Sequence, residues 1–176
     1  MKQTGIVRRI DNLGRIVIPK EIRKTLYIHD GELLELSVNN DQIILKKYST
    51  IKELSELFSK FISVFEPFIK SNILITDLDN ILVTSSKIRN LYCGKLISKF
   101  ITNVIDSRTQ YLSTDIEEVE VIEDQVDNIC CYVIPIISTG DPVGSLIIFS
   151  RDGKLDENDI TLANIFGSFI NKYIEE

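Results

Sequence analysis

Gly5–Leu26 reads GIVRRIDNLGRIVIPKEIRKTL, and its reading decides how the rest of the 176-residue chain is understood. Arg8, Arg9, Arg15, Lys20, Arg23 and Lys24 are set among Ile6, Val7, Ile10, Ile16, Val17, Ile18, Ile22 and Leu26, with Asp11 and Glu21 as the only acids. Apolar residues at every second or fourth position say that the stretch folds; the basic residues between them make the folded face positive. Charge alone admits two readings, a surface for a polyanion such as DNA or a solvated basic face.

Working outward, Gly5–Ile10 reads as a strand, Asp11-Asn12-Leu13-Gly14 as a turn and Arg15–Ile18 as a second, mostly β-branched strand. Pro19 stands where a helix can begin, and Ile22 and Leu26 share one face of the short helix that follows. After the loop His29-Asp30-Gly31, Leu34, Leu36 and Val38 alternate with polar residues as in a half-buried strand, and Asn39-Asn40-Asp41 turns the chain into a strand over Gln42–Tyr48. Four short strands and one helical turn bury too little surface to stand alone, and a unit this small without a disulfide or metal usually oligomerises. A dimer built into the fold is expected over residues 1–50.

The charge distribution supports treating these fifty residues apart. Residues 1–50 hold 9 Lys/Arg and 6 Asp/Glu, a net of +3, whereas residues 51–176 hold 11 and 20, a net of −9. The whole-chain net of −6 therefore hides a basic head, whose charge a dimer doubles to +6.

Composition bounds the rest: 44% hydrophobic and 26% charged is ordinary for a soluble globular chain. No apolar run reaches the roughly 18 residues that span a bilayer, and MKQTGIVRR lacks the apolar core of a signal peptide. A cytoplasmic protein with no membrane partner is expected. Cys93, Cys130 and Cys131 are odd in number and form no C-x-x-C pair, so reduced thiols are expected, with Cys130 and Cys131 buried. A single histidine, His29, leaves little for a zinc centre or a Ser-His-Asp hydrolase. No cofactor, no metal and no catalytic set is expected, and the chain reads as a non-enzyme.

Thr50 with Glu53 has the spacing of a capping box that opens a helix. Ile51, Leu54, Phe58, Phe61, Phe65 and Phe68 then recur at three and four, widened by Leu57 and Ile62, until Pro67 interrupts. Residues 51–71 read as a helical linker. Its apolar seam is expected to pair, at least in part, with a second chain, because a dimeric head brings two copies together; the alternative is an amphipathic helix packing on its own domain.

Residues 72–176 read as an α+β domain large enough to fold alone. Strands are expected over Ile73–Thr76, Ile81–Val83, Val119–Ile122, Ile129–Ile137 and Val143–Ser150, with a turn at Asp77–Asn80. Ile97, Phe100, Ile101 and Val104 mark one helix face; Asp156 can cap a last helix carrying Leu162, Ala163, Phe166, Phe169, Ile170 and Tyr173. Seven acids between residues 115 and 127 fit no cation loop and read as a solvated hairpin. Gly140 and Gly144 precede no Gly-Lys-Ser/Thr and read as turn chemistry rather than a phosphate loop.

Two resemblances sharpen this picture. TGIVRRIDNLGRIVIPKEIRKTL (4–26), followed by IILKKY (43–48), resembles the AbrB-like family of bacterial transition-state regulators, with Leu13-Gly14-Arg15, Ile18-Pro19 and Ile22-Arg23 in register. The resemblance implies a swapped-hairpin β-barrel dimer, hairpins of two chains interleaving, and it places the family's DNA-contacting arginines on Arg8, Arg15 and Arg23. A fourth basic position, often arginine, is Lys24 here, which keeps the charge and loses the planar fork. Arg9 and Lys2 complete the basic set expected at the DNA. Pro135–Ser150 (PIISTGDPVGSLIIFS) with a helix after it is similar to GAF-type sensor domains, which often hold a small ligand against the sheet; the signature of their cyclic-nucleotide binders is absent, so no ligand is implied. Together the two imply a dimeric, or tetrameric, transcriptional regulator of sporulation (forespore) genes whose tail senses an unidentified small molecule, the alternative being a tail that serves oligomerisation alone. The competing class is an antitoxin, which shares the head but carries a short tail that is disordered until it wraps a toxin.

Overall fold

The computed structural model describes residues 5–175, in two units that meet between Tyr48 and Ser49. In the first unit, Asp11–Gly14 forms a turn closed by the Gly14 N–H donating to the Asp11 carbonyl at 3.0 Å. Gly14 takes φ +77°, which a residue with a Cβ reaches only under strain. Helix α1 (Lys20–Thr25) follows Pro19, whose φ of −56° sets the helical start. Strands β1 (Leu34–Asn39) and β2 (Gln42–Lys47) pair antiparallel around Asn40-Asp41, with Asn40 at φ +53°.

Two expectations change here. The strands predicted over Gly5–Ile10 and Arg15–Ile18 form no ladder in the single protomer. A strand needs a hydrogen-bonding neighbour, and among the described residues the only main-chain bond joining the two segments' ends is Asp11 N–H to Arg15 carbonyl at 3.1 Å. Nor is β1 half-buried: Leu36 and Val38 lie open, because no second layer covers the hairpin.

The second unit is built on one antiparallel sheet. Its strands are β3 (Asn72–Thr76), β4 (Ile81–Thr84), β5 (Tyr111–Leu112), β6 (Glu117–Ile122), β7 (Gln125–Ser138) and β8 (Asp141–Ser150), in the order β4-β3-β8-β7-β5 with β6 also on β7. Alternation along the central strands divides their side chains between two cores. Leu74, Cys131, Val133, Ile147 and Phe149 face one core, which α4 (Arg89–Tyr92) and α5 (Lys99–Ser107) cover with Tyr92, Ile101, Val104 and Ile105. Ile73, Ile75, Tyr132, Ile134, Ile136, Leu146 and Ile148 face the other, covered by Ile51, Phe58 and Ile62 of α2 (Thr50–Glu53) and α3 (Ser55–Phe65) and by Ala163, Phe166 and Ile170 of α6 (Glu157–Ile174). Central strands buried on both faces read as unbroken apolar runs, as Ile129–Ile137 does.

Residues 51–71, read above as a linker, therefore spend Ile51, Phe58, Ile62 and Ile69 on the core of this unit, while Val64 and Phe68 stay exposed. The cap also falls one residue earlier than expected: Ser49, not Thr50, accepts the Lys52 N–H at 3.2 Å. Ser98 and Asp156 cap α5 and α6 in the same manner, accepting from Ile101 N–H at 3.2 Å and Asp159 N–H at 2.8 Å. The sheet admits no side chain at Gly144, where a Cβ would stand 2.0 Å from the Thr76 carbonyl oxygen of the adjacent strand.

Among the described residues the Thr84 hydroxyl is buried without a hydrogen-bond partner, while the larger buried polar groups of this unit are partnered. Asp159, 2% exposed, accepts from the N–H groups of Ser71 at 2.9 Å and Lys70 at 3.2 Å and from the Ser71 hydroxyl, pinning the start of β3 to the start of α6. Tyr92 donates to Asp127 at 2.6 Å, and Arg151 donates to both the Tyr92 oxygen (2.9 Å) and Asp127 (3.1 Å). The acidic stretch is the β6–β7 hairpin; its cations come from elsewhere in the chain, Arg151 for Asp127 and Lys154 for Asp115 at 2.9 Å. Among the described residues no cluster of three His, Cys, Asp or Glu could hold a metal ion. Cys130 and Cys131 are buried free thiols and Cys93 is exposed; burial pushes the Cys131 thiol up to about 12. No described helix is long and apolar enough to cross a membrane.

Candidate nucleic-acid interface

The basic residues of the first unit reach solvent from three kinds of local structure. Arg8 and Arg9 lie on the unpaired segment before the Asp11 turn, both exposed. Arg15 leaves the turn itself. Its Nε donates to Asp11 Oδ2 at 2.7 Å, and 72% of the side chain remains exposed. Hydrogen bonds from the Arg15 main chain and side chain hold the Asp11 carboxyl below its ordinary range. Arg23 and Lys24 project from α1, and Arg23 Nη1 donates to Asp30 at 2.7 Å. Lys2 lies outside the described residues.

Arg23 and Lys24 share the wall of an open groove of about 550 Å³ with Lys20, Tyr27, Ile28, His29 and Asp30. Arg8, Arg9 and Arg15 do not line it. Lys20, Tyr27 and His29 are additions to the set expected from sequence. Lys20 was legible in principle, since helical neighbours at i+3 and i+4 place it beside Arg23 and Lys24. Tyr27 and His29 were not, because their placement depends on a chain reversal after α1 in which Tyr27 adopts φ +53°.

That reversal is held by a largely buried carboxylate. Glu32 accepts from the His29 N–H at 2.8 Å and pairs with Lys47 Nζ at 2.9 Å, while Lys47 also donates to the Tyr27 carbonyl at 2.7 Å. Lys47 thus serves the scaffold of the groove. Ion pairs such as Arg15–Asp11 and Arg23–Asp30, both exposed, add little stability but restrict where the guanidinium points.

Among its described residues the unit forms no hydrophobic core. Fourteen large apolar side chains between Ile6 and Tyr48 are exposed, Pro19 alone is buried, and the core side chains begin at Ile51. A basic unit that leaves its apolar residues open, joined to an independently packed α+β unit, has the two-part plan that the resemblance to AbrB-like regulators implies.

Comparison with known proteins agrees. Residues 53–175 match the family described as "Stage V sporulation protein T C-terminal, transcription factor", and residues 7–53 match the MazE family of bacterial antitoxins. Stage V sporulation protein T of Bacillus subtilis is 36% identical over 178 residues, covering all of both chains. Transition state regulatory protein AbrB of the same organism is 58% identical over 48 residues, 27% of this chain and 50% of that one. Among solved structures, a GAF domain/HD domain protein from Geobacter sulfurreducens covers 74% of this chain and 99% of its own, with a TM-score of 0.49 and 8% identity. The chain belongs to the stage V sporulation protein T family of transcription factors.

Proposed function

We propose that the chain regulates forespore genes by binding double-stranded DNA through its first unit, which completes itself only as a dimer. The observation that carries this is the conjunction of net positive charge with fourteen exposed apolar side chains in residues 5–48. A second copy pairing with Gly5–Ile10 and Arg15–Ile18 would supply both the ladder and the layer that the single chain lacks, as a swapped-hairpin β-barrel does. Arg8, Arg9, Arg15, Arg23 and Lys24 then form the DNA face; Lys2 belongs to the same expected set and lies outside the described residues. If about six phosphates are neutralised per dimer, log K against log [salt] slopes near −5. The test is that slope for the full chain and for the Arg8→Ala, Arg15→Ala, Arg23→Ala triple variant. A salt-independent affinity, or unchanged binding by the triple variant, contradicts the reading.

The domain plan under this reading is a DNA-binding head at 1–50, a helical connection at 51–71 and a GAF-like tail at 72–176. For the tail, association between chains, giving tetramers, is favoured over sensing of a small ligand. Phe61, Phe169 and Tyr173 stack in series on α3 and α6, at 4.4 and 5.6 Å between centroids, beside exposed Val64 and Ile165. A monomer of residues 49–176 at micromolar concentration would overturn tetramer formation. An antitoxin role is disfavoured because the tail is a folded unit with two cores rather than a segment that orders on a partner.

A further inference from the structure

Arg15 is presented by more than its own backbone. Asp11 Oδ1 accepts from the main-chain N–H groups of Leu13 at 2.9 Å and Arg15 at 2.8 Å, so the carboxylate is fixed in the turn before it meets the guanidinium. Its other oxygen, Oδ2, takes Arg15 Nε at 2.7 Å. With Nε engaged, the edge of the guanidinium left to a ligand carries the two terminal nitrogens, on a side chain that is mostly exposed. That edge is a two-pronged donor that matches two phosphate oxygens or the acceptor pair of a guanine.

We propose that Asp11 is a positioning residue of the DNA interface, clamping Arg15 through Nε so that its terminal fork faces the nucleic acid. This rests on the DNA-binding reading above and deepens it. An acid on a phosphate-binding face should by itself repel DNA, so charge counting and positioning predict opposite signs when it is neutralised. Asn in place of Asp11 keeps an acceptor for the turn and loses the clamp. Asp30 supplies the contrast. It also meets an arginine at 2.7 Å, but its side chain is 95% exposed and among the described residues it accepts only from Arg23, so nothing fixes it in place.

The test measures binding of the full-length parent, Asp11→Asn, Asp30→Asn, Arg15→Ala and the Asp11→Asn/Arg15→Ala double variant to a labelled random-sequence duplex at low salt, with a melting curve for each. Arg15→Ala is expected to weaken binding about tenfold and Asp11→Asn about three- to tenfold, the scale of losing one well-placed charged fork. Asp30→Asn is expected to tighten binding slightly. In the Arg15→Ala background, Asp11→Asn should change affinity by less than about twofold, because a residue acting through Arg15 is silent without it. Asp11→Asn binding as tightly as the parent or more so overturns the proposal, as does a loss that persists without Arg15, which would mark a general effect on the turn. If Asp11→Asn lowers the melting temperature, Asp11→Ser, whose hydroxyl can still accept from the turn, carries the same expectations. Unchanged binding by Arg15→Ala would instead remove Arg15 from the DNA-binding reading itself.

Discussion

Val17 and Ile147 are both β-branched residues at strand-like positions, yet Val17 is 74% exposed and Ile147 is fully buried. The difference belongs to their units. Around Ile147 a six-stranded sheet is covered on both faces by helices of the same chain, so the apolar positions at the centre of β7 and β8 have somewhere to go. Around Val17 there is one hairpin, a six-residue helix and a turn, and no arrangement of so few elements encloses a core. The lesson is that apolar patterning specifies which residues must be buried, but not in which molecule the burying surface is found.

The sharpest way to strain this comparison is inside the second unit, where two cores close within one chain. Phe149→Ala removes a fully buried ring that packs on Tyr92 at 5.4 Å, and should cost the unit about 3–5 kcal/mol in denaturant unfolding, independent of protein concentration. Asp159→Asn puts an amide where three donors converge on a carboxylate, and should cost about 1–3 kcal/mol with the first unit unaffected.

A matched pair of truncations then crosses the two units. Val126, 54% exposed on β7, should tolerate replacement by Ala within about 0.5 kcal/mol. Val17 is more exposed still in the single chain, yet Val17→Ala should cost about 1 kcal/mol or more, with a midpoint that depends on protein concentration. Equal, small effects at both positions would remove the distinction between the units. The smallest effect is expected from Lys24→Arg, which restores a planar fork beside Arg23 and should tighten DNA binding by about two- to fivefold without altering stability.

Much of the second unit was legible because its determinants are local or follow from strict alternation. The turn at Asp77–Asn80, with Asp77 accepting from the Asp79 and Asn80 N–H groups at 2.9 and 2.7 Å, the Asp156 cap and the buried face of α6 all follow from short-range rules. The cap at Ser49 rather than Thr50 was not, since adjacent hydroxyl residues are both competent and only the backbone at Ser49, extended at φ −129°, selects between them. Nor could the sequence say where the Ile51–Phe68 seam would go. Phe58 is fully buried and Phe61 packs on Phe166 and Phe169 inside the unit, so Phe58→Asp would report on folding. Val64 and Phe68 are the positions from which association between chains can be probed separately.

The candidate site was legible to the extent that charge is. Arg8, Arg9, Arg15, Arg23 and Lys24 are exposed or half-exposed, as a binding face requires. The grouping of Arg23 and Lys24 with Tyr27 and His29 was not, because it depends on the reversal at Tyr27 and on the Glu32–Lys47 pair, which joins residues distant in sequence. Charge counting gives the acids beside the arginines no role; Asp11 is bonded to Arg15 at three points, through its main-chain N–H and both carboxylate oxygens.

The central claim is that the first unit has no fold of its own outside a dimer. Residues 1–48 prepared alone, followed over a dilution series by sedimentation equilibrium and circular dichroism together, test it most directly. The account predicts that the β-sheet signal and the dimer mass disappear at the same concentration. A folded, sheet-containing monomer that persists on dilution would contradict it.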